Sequence, residues 1–160
     1  MMTFCVGDRI AHPMHGAGVI SGIEKRKVNG TERDYYILKL PVGDMLVMIP
    51  TEMSSEIGVR PIVDPDEAEY ILNSIPGIEV NMTANWNKRY RENMLRIKSG
   101  NLMEVAAVVK GLMSREAERG LSTGERKMLH SAKQIFISEI VLSQSSSYED
   151  IEKRLALAMA

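Results

Sequence analysis

A chain of 160 residues, 44% hydrophobic and 26% charged, has the balance of one ordinary globular domain or two small ones and excludes a disordered chain. Its longest apolar runs, Val105-Ala-Ala-Val-Val109 and Ile135-Phe-Ile137, fall far short of the roughly 20 residues that a membrane span needs, and no secretory signal opens the chain, so a cytoplasmic location without a membrane partner is expected. The net charge of −1 gives no support to nucleic-acid binding, yet it is uneven: residues 1–63 hold 7 bases and 7 acids, 64–80 hold 5 acids and no base, and 81–160 hold 13 bases against 9 acids.

The first sixty residues carry β-branched and apolar residues in short runs punctuated by Gly, Pro and Asn, which predicts strands. Cys5, the only cysteine, cannot form an internal disulfide and reads as a buried thiol. His12-Pro-Met-His-Gly16 and the following Gly18 predict a tight reversal. Asn29-Gly30 tolerates positive φ at both central positions of a type I′ turn, so Gly18 to Val28 and Thr31 to Leu40 should pair as a hairpin. A turn at Pro41-Val-Gly-Asp44 then leads into a last strand, Met45 to Ile49. About five strands in so short a segment predict a small Tudor- or SH3-like β-barrel or a strongly bent sheet.

The period changes near Asp64-Pro-Asp-Glu67, where Asp64 can cap a helix, Pro65 suits its first position and acids favour the helix dipole. A boundary therefore falls here, dividing the chain into a β domain, 1–63, and an all-helical domain of about five helices, 64–160. The first helix should stop at Pro76-Gly77. Thr83 to Ser99 reads as a second, with Trp86, Tyr90, Met94 and Ile97 on one face. Three more are announced by caps at Asn101, Ser122 and Ser147, and Gly120 closes the helix before Ser122. The fold class is α+β in two domains.

Catalysis finds no motif. There is no phosphate-binding Gly-rich loop and no nucleophile elbow, while Cys5, His12 and His15 lack the spacing of metal ligands; no enzyme, cofactor or metal is expected. The best functional signal is Asn85-Trp-Asn-Lys-Arg-Tyr-Arg-Glu-Asn93. From Trp86 to Lys98 five bases (Lys88, Arg89, Arg91, Arg96, Lys98) accompany one acid, Glu92, and could grip phosphates around an aromatic side chain. Trp86 has two readings: core packing with Tyr90 and Met94, or a tip past the end of the bundle that wedges between bases. Arg126-Lys127 is a second basic group, whereas Arg115 and Arg119, interleaved with Glu116 and Glu118, suggest solvent-facing ion pairs. In the β half, Arg26 within Lys25-Arg-Lys27 and an edge formed by Met45 to Ile49 suit strand addition by a protein partner, or are simply a charged soluble edge. Tyr35 and Tyr36 raise the further possibility of RNA stacking, although alternation puts one of them inside.

Taken together, Val6-Gly-Asp8, His12-Pro-Met-His-Gly16, Leu38-Lys39, Gly43-Asp44 and Ile49-Pro50, with Asn85-Trp-Asn-Lys-Arg-Tyr90 and Glu118-Arg-Gly-Leu-Ser-Thr-Gly-Glu125 followed by Lys127-Met-Leu129, resemble the CarD and CdnL transcription regulators over essentially the whole chain. That resemblance implies an N-terminal domain shared with transcription-repair coupling factor and docked on the RNA polymerase β subunit, and a helical domain on promoter DNA at the upstream edge of the bubble. The regulator would stabilise the open complex and act as a monomer on the nucleoid through polymerase. By position, the resemblance makes Trp86 the wedge, Lys88, Arg89, Arg91 and Lys127 phosphate contacts, and Arg26 a polymerase contact; the basic pair adds Arg126 to the expected DNA contacts, and the strand edge adds Val47, Met48 and Ile49 to the expected polymerase face. Met48 departs from relatives that carry a base there. The rival reading is a protein-interaction adaptor with a peptide-binding barrel and no DNA contact.

Overall fold

The computed structural model describes residues 3–41, 44–80 and 82–159. An antiparallel meander comprises β1 (Arg9–His12), β2 (Gly16–Val28), β3 (Thr31–Lys39) and β4 (Leu46–Pro50); the two-residue β5 (Arg60–Pro61) returns beside β1, giving the sheet order β4-β3-β2-β1-β5. The Asn29-Gly30 turn has φ of 52° and 79°, as a type I′ hairpin requires. A register shift between Ile20 and Gly22 interrupts the β2–β3 ladder, and such a bulge bends the strand. The bent sheet wraps Phe4, Ile10, Ile20, Tyr36, Leu38, Leu40, Ile49 and Val59 into one core. In the turn expected at Pro41-Val-Gly-Asp44, Val42 and Gly43 lie outside the described residues, as does the Gly43 of the Gly43-Asp44 match; the flanks are joined by the Leu40 N–H donating to the Met45 carbonyl at 2.9 Å.

Cys5 is exposed, which corrects the expectation of a buried thiol. Phe4 takes the core position instead, edge-on to Tyr36, whose hydroxyl accepts the Phe4 N–H. Neighbours in an extended chain point to opposite sides, so Cys5 faces solvent. Tyr36 is thereby the inward member of the Tyr35-Tyr36 pair.

A short helix, α1 (Ser54–Ile57), precedes β5. Five longer helices form the second half: α2 (Pro65–Ser74), α3 (Trp86–Lys98), α4 (Leu102–Arg119), α5 (Thr123–Gln144) and α6 (Tyr148–Met159). Each begins where a side chain accepts free amides: Asp64 from Glu67, Asn85 from Lys88, Asn101 from Met103 and Glu104, Ser122 from Glu125, and Ser147 from Asp150. Helix α3 starts at Trp86, three residues later than the expected Thr83, because Asn85 takes the cap. The bundle core runs through Ile71, Leu72, Val105, Val109, Leu112, Phe136, Ile140 and Leu155, with α5 across its middle. The back of α5 also meets the sheet, where Ser138 Oγ accepts the Ala17 N–H at 2.9 Å. There is no room beside it for a side chain at Gly16, where a Cβ would lie 2.6 Å from Ser138 Oγ and the φ of 94° favours glycine.

Candidate functional site

One end of the bundle gathers the start of α3, the end of α4 and the start of α5. Trp86 occupies the first turn of α3, directly after its cap. Its ring stacks on Tyr90 with centroids 5.1 Å apart and planes 16° from parallel, and its Nε1–H donates to Ser122 Oγ at 3.0 Å. The indole edge lies over Gly124, where an added Cβ would sit 3.5 Å from Cζ2. With 41% of its surface exposed, Trp86 is neither core nor a loose flap. It is a plate braced on one face and one edge, with the rest open to solvent.

Arg89 requires a correction, because it lies behind that plate at 2% exposure. Its Nε and Nη2 donate to the two carboxylate oxygens of Glu125 at 2.8 and 3.2 Å, and its Nη1 donates to the carbonyls of Thr83 and Ala84. The guanidinium is therefore spent on tying the start of α5 to the segment leading into α3, and does not reach outward as a phosphate contact would. Glu125 is equally buried; the Arg89 hydrogen bonds, then the charges of Arg89 and Arg115, hold its carboxyl below the usual range against the cost of burial. Ser122, which caps α5 and holds the indole, also lies 3.4 Å from Glu125 Oε1. The same few atoms thus fix both the helix start and the indole.

Lys88, Arg91, Arg126 and Lys127 are exposed on the first turns of α3 and α5. Arg126 lies 3.9 Å from Glu116, a solvent-exposed pair of little worth. Lys88, Arg91 and Lys127 have no ion-pair partner among the described residues. Lys127 and Tyr90 share a shallow groove with Met14 and Met94. The ion pairs expected within Arg115 to Arg119 do not form: Glu116 faces Arg126 on the next helix, and the Arg115 charge acts on Glu125.

In the β half, strand β4 borders only β3 among the described residues, so it is an open edge. The pleat divides its candidates. Ile49 is 1% exposed in the barrel core, a correction that limits any part it plays in an interface to its backbone. Val47 is half-buried, while Met48 (42% exposed) and Leu46 (60%) face outward on β4, with Met45 also exposed just before it. Met45 and Leu46 fall within the edge read from the sequence but not among the residues expected to face polymerase, although stepping back by two from Met48 finds Leu46. Arg26 stands on the hairpin beyond the reach of β4, exposed and bonded to Glu24 by Nε and Nη2. His12 and His15 lie with ring centroids 4.6 Å apart; burial, and then the charge of His15, lower the His12 pKa to about 4. No group of three or more His, Cys, Asp or Glu able to hold a metal occurs among the described residues, and no helix there is long and apolar enough to cross a membrane.

Two family models match the chain: a CarD-like/TRCF RID domain over residues 4–63 and the CarD C-terminal domain over residues 70–156. The chain belongs to the CarD family, and its class of function is transcription regulation, not an enzyme class. It is 34% identical over 149 residues to the putative transcription factor YdeB of Bacillus subtilis (strain 168), a match that covers 93% of this chain and 97% of that protein.

Proposed function

We propose that the chain joins the transcription initiation complex in the cytoplasm through two surfaces, the open β4 edge on the RNA polymerase β subunit and the Trp86 plate on promoter DNA at the upstream edge of the bubble. The single observation that carries this reading is the braced indole. An apolar side chain that enters the minor groove must remain planar, presented and fixed while it separates a base step, and unstacking costs a few kcal/mol. Tyr90, Ser122 and Gly124 hold Trp86 in that posture before DNA arrives. Lys88, Arg91 and Lys127 supply charge for the phosphates on either side, with Arg126 able to exchange its weak partner for one. The polymerase surface combines unpaired strand backbone, that of Val47 included, with the outward side chains of Leu46 and Met48, and Arg26 adds a charge that can trade Glu24 for an acid on the partner. Docking raises the local concentration of the plate at the promoter, so a weak DNA contact suffices to stabilise the open complex. The two domains, 1–63 and 64–160, divide these tasks.

Open-complex lifetime on a promoter fragment tests the reading. Trp86→Ala should shorten it by about tenfold, equivalent to about 1.4 kcal/mol, while polymerase binding is unchanged. An unaltered lifetime with a folded variant overturns the DNA role and leaves a protein adaptor. Arg26→Glu should weaken capture of the β subunit.

A further inference from the structure

Helix α5 holds the sheet domain with four side-chain or backbone groups in succession along its second half. Ser138 accepts the Ala17 N–H, and the Leu142 carbonyl accepts from Arg9 Nη1 at 2.7 Å. Ser143 Oγ donates to the Val63 carbonyl at 2.8 Å. Glu139, buried at 2% exposure, receives two bonds from Arg60, at 2.7 and 2.9 Å, and the Val63 N–H at 3.0 Å. Arg60 completes the joint by donating from Nε to the Gly100 carbonyl at 2.6 Å, at the turn between α3 and α4. These contacts reach β1, β2, β5 and the segment after β5, and four of the seven bonds run through Arg60 or Glu139. The other end of the same helix begins at Ser122, which holds the Trp86 indole. From Glu139 to Ser122 the helix spans roughly 25 Å at about 1.5 Å per residue.

We infer that α5 is a rigid strut between the two contact surfaces, and that Arg60 and Glu139 are positioning residues: their buried joint fixes where on the promoter Trp86 lands once β4 is docked. A tether with free rotation would spread the plate over a large volume and lose effective concentration, whereas a fixed arm delivers it to one step of the duplex. This inference rests on the reading of β4 and Trp86 as the two surfaces.

The test uses the full chain with its lone cysteine removed (Cys5→Ser) and spin labels placed through Lys27→Cys, on the hairpin, and Arg119→Cys, at the end of α4. A single narrow distance distribution is expected with the joint intact. Glu139→Gln should broaden it and shorten the open-complex lifetime by about tenfold, with capture of the polymerase β subunit unchanged. Because Glu139→Gln changes a buried site, Arg60→Met/Glu139→Met serves as a second variant that leaves no charge unpaired. A broad distribution with the joint intact overturns the strut, and one that stays narrow in both folded variants overturns the role of Arg60 and Glu139. Broadening without loss of lifetime, in a background where Trp86→Ala does shorten it, overturns the positioning role. If Trp86→Ala itself leaves the lifetime unchanged, the DNA reading has failed, and the distance distributions alone decide whether the joint is rigid.

Discussion

Strand β4 and the first turns of helix α3 present the same problem to a reader of sequence and solve it with different periods. In each, a few consecutive residues look equally suited to meet a partner. The pleat sends Met48 out and Ile49 in, whereas the 3.6-residue turn sends Lys88 and Arg91 out and Arg89 in. The difference lies in what the inward residue does. Ile49 fills a hydrophobic core and supports β4 from beneath. Arg89 carries charge into the interior and must bring a carboxylate from 36 residues away to neutralise it. A basic run is therefore a poor count of phosphate contacts, because one of its members, Arg89, is the bracket on which the others stand.

Stability separates the two inward residues from their exposed neighbours most strongly. Arg89→Ala leaves the Glu125 carboxylate buried without its partner and should destabilise the fold by about 3–5 kcal/mol in chemical denaturation, whereas its neighbour Lys88→Ala should stay within about 0.5 kcal/mol. Replacing both partners by apolar residues, Arg89→Met/Glu125→Leu, should recover most of that loss while disturbing the indole. In β4, Ile49→Ala should cost about 2–5 kcal/mol and Met48→Ala about 0.5 kcal/mol or less; equal losses at the two positions would break the inward–outward division. Arg91→Gln and Lys127→Gln should each lower the slope of log affinity against log salt by about 1 for a forked promoter duplex bound with polymerase, a change that Arg89 variants cannot produce by losing a direct contact. The smallest effect at neutral pH belongs to His12. Its folded pKa of about 4 lies below the ordinary 6.5, so the unfolded chain binds the extra proton between those values. Stability is full above about pH 6.5 and should fall as the pH drops toward 4; His12→Asn should flatten that limb of the profile.

Much of the architecture is legible in the chain because its signals are local. Asp64, Asn101, Ser122 and Ser147 lie within three residues of the amides they cap, and Asn29-Gly30 makes its own turn. What escaped is long-range. The two-residue β5 exists only because β1 is there to receive it, and α1 is a single turn too short to carry a period. The bonds from Arg89 to Glu125 and from Arg60 to Glu139 join residues 36 and 79 apart, and no spacing announces them. Cys5 was misread because composition favours buried thiols while the neighbouring Phe4 had already claimed the inward place. At the plate, periodicity put Trp86 on the face of Tyr90 correctly, but the end of the bundle, which leaves that face half open, depends on how α4 and α5 meet.

Trp86 is also the only tryptophan in the chain. Excitation at the red edge of its absorption therefore interrogates one ring, stacked on Tyr90, bonded to Ser122 and partly in water. Its emission wavelength and quenching are a built-in optical gauge of the plate: a duplex that covers the ring, or a substitution that frees it from Ser122, changes the light from the free protein without any added dye.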